Sequence, residues 1–186
     1  MRLPHYSEHS LTQAQRAVWD AVVAGKRGRM PPPTQAWLGS PDFAMRAQHL
    51  GEYIRFDTCF GPELVEIAIL VTAKHWRAHY EWWAHRRLAE QAGLDAAIID
   101  AIRDGREPRI DDPKARVIYD YASTLHRDRS IPDALHASML EHWGERGVID
   151  AIGTCGYYAM VAMTLNGYQV PLPDGKQSEL PEGDPK

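Results

Sequence analysis

The stretch that most constrains this chain runs from Gly61 to Ala92, GPELVEIAILVTAKHWRAHYEWWAHRRLAEQA. From Leu64 to Ala73 it is apolar on every helical face, the mark of a helix buried all round. Glu66 lies inside that run. A carboxylate in such a place is costly unless a cation or donors meet it, or unless it stays protonated. Groups of the right chemistry follow within a few turns: His75, His79, Glu81 and His85. As one straight helix the run would hold Glu66 and Glu81 about 22 Å apart, at ~1.5 Å per residue, and they could not cooperate. A turn near His75-Trp76 would instead pack the halves antiparallel and set Glu66 opposite His85, with Glu81 four residues from His85 on one face. No Gly or Pro marks that break. A single helix of the whole run would far exceed the usual length of roughly 11–12 residues. The residues alone leave both arrangements open.

The rest of the chain is punctuated as helices. Ser10 with Gln13 reads as a capping box before Leu11, Ala14, Val18, Ala21 and Val22, which recur at helical spacing until Gly25. A basic, proline-rich connector, Lys26 to Pro33, follows. Ser40-Pro41 opens a helix through about Phe56, and Gly61-Pro62 opens the long run. Asp95 starts a short helix ended by Gly105, and Asp112-Pro113 starts another through about His126. Ser130 with Asp133 caps a helix ending at Gly144, and a last, largely apolar helix spans about Val148 to Leu165, with Gly153 and Gly156 on adjacent turns. No alternating apolar/polar run argues for a strand, and neither an internal repeat nor a glycine-rich phosphate loop is present. The expected fold class is all-α, a helical bundle with a central antiparallel hairpin. One compact domain is expected, with an N-terminal helical extension over 1–60, a main helical body over 61–170 and a mobile tail over 171–186. That tail carries four prolines and four acidic residues, with little to bury.

Composition removes several classes of function. The net charge of −4 offers no basic footprint for nucleic acid. The absence of an 18-residue apolar run free of charge predicts no membrane span. The opening MRLPHYSEHSLTQ lacks the apolar region of a signal peptide, so a cytoplasmic location is expected. Cys59 and Cys155 stand far apart with no CxxC, as buried small hydrophobes do.

The segments ELVEIAIL and YEWWAHRRLAEQAGL together resemble the carboxymuconolactone decarboxylase family, which includes the AhpD-like alkylhydroperoxidases. Counted from Glu66, Ala78 and Glu81 stand where the redox members carry the two cysteines of a CxxC, and His85 stands at their histidine. The match is closest to the non-thiol branch, in which a glutamate replaces the second cysteine. It covers mainly residues 61 to 105 and extends more loosely to RGRMPPPTQAWLGSPDFAMRAQHLGEYIR. The resemblance implies an AhpD-like helix–turn–helix, oligomers with pockets near subunit contacts, and cofactor-independent decarboxylation of a small carboxylated lactone. Such chemistry needs an acid/base near neutrality and a donor for an enolate oxygen. The candidate catalytic residues are therefore Glu66, Glu81, His85 and His79, with His85 held by Glu81 or Glu66. Tyr80, Trp82, Trp83 and His75 are candidate pocket residues, and Arg55, Arg77 or Arg86 could meet a substrate carboxylate. The expected partners are a small carboxylate substrate and further copies of the chain, as a dimer or trimer, with neither nucleic acid nor membrane. No cofactor and no metal are expected. The dedicated decarboxylases lack an extension like residues 1–60, a departure from the family pattern that bears on both substrate and reaction.

Three other readings stay open at this level. A thiol peroxidase would carry the family label without its dithiol. A metal-dependent enzyme would use His75, His79, Glu81 and His85. A non-catalytic oligomer would hold a small acid without turnover.

Overall fold

The computed structural model describes residues 2–181. Among these residues are eight α-helices, a short 3-10 turn at Glu8–Ser10 and no strand, so the chain is all-α. In order the helices are α1 (Gln13–Ala24), α2 (Pro32–Trp37), α3 (Pro41–Phe56), α4 (Pro62–His75), α5 (His79–Gln91), α6 (Ala96–Asp104), α7 (Pro113–Asp128) and α8 (Asp133–Gly167). Helix α4 is the hub: it packs on α5, α7 and α8, and also touches α6 and α3. Every residue from Val65 to Ala73 is buried, as a helix apolar on all faces must be.

The long run breaks where α4 ends at His75 and α5 begins at His79. Arg77 takes a left-handed backbone, with φ of 49°, and Ala78 N donates to Ala73 O at 2.9 Å. This is the geometry in which helices usually end on glycine. Here an arginine occupies the left-handed position, at a conformational cost of about 1–2 kcal/mol. That substitution hid the break from the sequence. Gln169 after α8 and Arg129 after α7 do the same, with φ of 51° and 59°.

Two expected caps are corrected. The capping box belongs to Thr12 and Gln15, because Ser10 lies in the preceding 3-10 turn and bonds back to Ser7 O. Ser130 caps nothing: α8 starts after Pro132 with no side-chain cap. Gly144 does break the helix as expected, but as a kink inside α8, with φ of 64° and ψ of −165°.

Helix α8 also alters the membrane expectation. It is long and apolar enough to cross a membrane by length and composition, although 56% of its most apolar window is buried against the rest of the protein. Up to Pro181 the tail makes contacts with the helical body. Leu180 is buried, and Glu179 accepts hydrogen bonds from Arg86 Nη1 at 2.7 Å and Trp82 Nε1 at 3.4 Å. Residues 182–186 of that tail lie outside the described residues.

Candidate functional site

Folding back at Arg77 brings α5 against α4, and Glu66 meets His85. The Glu66 Oε2 to His85 Nδ1 distance is 2.7 Å, and Arg55 Nη1, from the end of α3, donates to Glu66 Oε1 at 3.3 Å. Both Glu66 and His85 are buried. Glu66 therefore has the cation and the donor that its place in an apolar helix demanded. The His85 ring stands edge-on to Tyr158 of α8, with centroids 4.8 Å apart. Burial is the largest influence on His85 and lowers its pKa. Glu66 pulls the other way, while the Arg55 and Arg27 charges add to the lowering. Burial thus favours the neutral imidazole, and the tautomer that donates from Nδ1 to the Glu66 carboxylate keeps its lone pair at Nε2.

Glu81 is the unusual member. It is 1% exposed, and neither of its carboxyl oxygens has a hydrogen-bond partner. Among the described residues the only other buried side-chain polar atom in that condition is Trp76 Nε1. Burial, and secondarily the Glu66 charge, raise the Glu81 pKa well above the usual carboxylate range. Both influences favour the uncharged acid, the form that carries a proton to give. It does not hold His85; the spacing of four that suggested an ion pair places the two side by side on the wall of one cavity.

That cavity has a volume of about 320 Å³, at the small end of ligand pockets. Helix α5 contributes Tyr80, Glu81, Ala84, His85 and Leu88 to it, and α8 contributes Tyr157, Tyr158, Val161 and Leu165. Arg55 and Phe56 come from α3, and the connector lines the remainder from Lys26 to Thr34. The first sixty residues are therefore part of the site. Gly51 lets Tyr157 approach: a Cβ at that position would overlap the tyrosine hydroxyl and crowd the Arg27 guanidinium.

The structure thus brings Glu66, Glu81, His85 and Tyr80 together and leaves four candidates elsewhere. His79 bonds to Ser178 in the docked tail and lines a separate shallow depression. His75 is exposed and stacks on His126, with ring centroids 4.7 Å apart. Trp82 is fully buried core, and Trp83 packs against Tyr80 and Arg87. The metal set of His75, His79, Glu81 and His85 does not assemble, and no other group of three potential ligands gathers among the described residues. Of the three candidate arginines, Arg55 alone lines the cavity; Arg86 is engaged by Glu90, Asp100 and Glu179, and Arg77 lies in the turn. Sequence reasoning missed Tyr157, Tyr158, Arg27 and Arg29. For the tyrosines, no local pattern separates a core residue from a wall residue; for the arginines, the connector KRGRMPPP was the available signal.

No protein-family model matches the chain, and no curated protein matches it significantly. The fold and site define an all-α protein with a small cavity walled by a buried, unpartnered carboxyl group beside a Glu–His pair.

Proposed function

We propose that this protein is a cofactor-independent acid–base enzyme of the carboxymuconolactone decarboxylase kind, acting on a small carboxylated lactone. The observation that carries this reading is Glu81, a buried carboxyl with no partner of its own, set in a cavity wall next to His85. A buried group without a partner has a use when a substrate supplies one. In the proposed reaction the bond from the ring carbon to its carboxylate breaks and CO₂ leaves. The electron pair moves into an extended enolate, whose oxygen meets the O–H of Tyr158 or an N–H of Arg55. Glu81 then gives its proton to the distant carbon, and water restores it through the free Nε2 of His85. Glu66 acts by holding the imidazole in that tautomer.

Incubation with carboxylated γ-lactones in heavy water tests the reading. The expected result is CO₂ release with one deuterium on a ring carbon. Recovery of unchanged acid across the series would end the proposal.

The thiol peroxidase reading has little to support it. Burial pushes the Cys59 and Cys155 thiols up to about 11, so neither supplies a thiolate at neutral pH. Alkyl hydroperoxide turnover is expected to be absent. A rate that disappears in a Cys59→Ser/Cys155→Ser protein would count against this.

The same reading includes a homo-oligomer. The α4 run is covered within one copy. What stays exposed is Phe43 and Leu50 on α3 with Ile149, Ile152 and Met163 on α8. These residues give a second copy an apolar face to cover. Light scattering at micromolar concentration is expected to give at least a dimer mass; a monomer would refute it.

A further inference from the structure

The connector places three cations on the cavity that Glu81 faces: Lys26, Arg27 and Arg29. Lys26 is paired with Asp57. Arg27 is half-buried and donates from Nη2 to Gly51 O at 2.8 Å, with no carboxylate bonded to it; Glu52 meets its charge only through space. Arg29 is exposed and has no ion pair among the described residues. On the acidic side, Glu66 is taken by Arg55 and His85, and burial favours the uncharged form of Glu81. Two guanidinium groups of the connector therefore line the cavity with no carboxylate bonded to either among the described residues. Their field reaches inward: burial raises the Tyr157 and Tyr158 pKa values, and the Arg27 charge opposes it at both. The opposite wall is apolar, with Leu88, Val161 and Leu165.

We propose that Arg27 and Arg29 anchor a carboxylate that the substrate keeps throughout the reaction, with its apolar ring turned inward to Glu81 and His85. This rests on the decarboxylase-like reading in one respect. A cation on the departing carboxylate would stabilise the ground state more than a transition state whose charge has moved into the ring. Guanidinium groups with no bonded carboxylate are useful only on a carboxylate that stays. Their fork of donors suits a planar carboxylate, and the field of two unpaired cations draws anions to the cavity. Arg27 and Arg29 thus determine specificity and leave the proton chemistry to α5.

The probes are γ-butyrolactone carrying one ring carboxylate, and its methyl ester, titrated calorimetrically into the full chain. The acid is expected to bind the natural protein at least about tenfold more tightly than it binds Arg27→Gln/Arg29→Gln. The ester should bind both proteins equally and weakly. Arg29→Lys should keep part of the affinity, and Arg29→Glu should lose more than Arg29→Gln. Because Arg29 is exposed and bonds to nothing described, these two single variants carry the test if changes at Arg27 impair folding. Equal affinity of acid and ester, equal affinity of natural and variant proteins for the acid, or no binding of the acid at millimolar concentration would each overturn the proposal. Turnover is read on an unsaturated γ-lactone carrying two carboxylates, one to be held and one to leave: arginine-dependent binding of it without CO₂ release would keep the anchor and remove the decarboxylase reading. CO₂ release with an unchanged KM in the double variant would do the reverse.

Discussion

Glu81→Gln is expected to lower turnover of a carboxylated lactone by at least about a hundredfold, the scale of a lost general acid, while making the protein more stable at neutral and alkaline pH. The two effects share one cause. In the unfolded chain Glu81 ionises near its ordinary value of 4.5, whereas burial and Glu66 hold its folded pKa well above that. The folded state thus binds the proton more tightly. Its advantage is full below pH 4.5 and falls as the pH rises toward the folded pKa, at about 1.4 kcal/mol for each unit of pH. Glutamine fills nearly the same volume and never has to be kept from ionising. Natural and variant proteins should therefore melt together at low pH and diverge as pH rises, with the variant higher. Calorimetric melts from acid to alkaline pH, beside CO₂ release at each pH, check both halves. Parallel melting curves, or an active variant, would show that Glu81 is an ordinary buried side chain.

Glu66→Ala should do the opposite and unfold the protein more readily. Arg55 and His85 both lose their partner, and the Arg55 side chain is only 17% exposed. Stranding a buried cation costs on the order of 3–5 kcal/mol, which for a chain of this size lowers the melting midpoint by roughly 10 °C. Glu66→Gln should cost less, because an amide oxygen still accepts from Arg55. Adding Arg55→Met to Glu66→Gln should recover stability without recovering activity, since an apolar replacement removes the stranded charge. Urea titrations of the three proteins measure this. A Glu66→Ala protein as stable as the natural one would mean that the triad contributes nothing to the fold.

Much of this molecule was legible from local pattern. Apolar residues on every face of 64–73 required a helix enclosed by others, and the Pro62, Asp95 and Asp112 starts fell where the caps pointed. Glu66 could be singled out because a carboxylate inside that helix has to be answered. Its partner His85 followed from supposing a turn, and the turn itself was invisible because Arg77 stands where a glycine would have announced it. His79 and Trp82 show the converse limit. Their neighbours are Ser178 and Glu179, about a hundred positions away, and no periodicity reports on so distant a segment. The cavity's cations were missed for the same reason. The connector reads as a solvated basic linker until α3 and α8 fix what it lies across.

The width of the cavity mouth is set in part at a position that does not line it. Gly51 sits where α3, the connector and α8 meet, with Tyr157 pressed to its Cα and Arg27 bonded to its carbonyl. Even one added methyl would have to displace the tyrosine or the arginine, and both belong to the wall. Position 51 thus acts as a gauge for that wall, set by one missing carbon on a helix that carries neither the acid nor the imidazole.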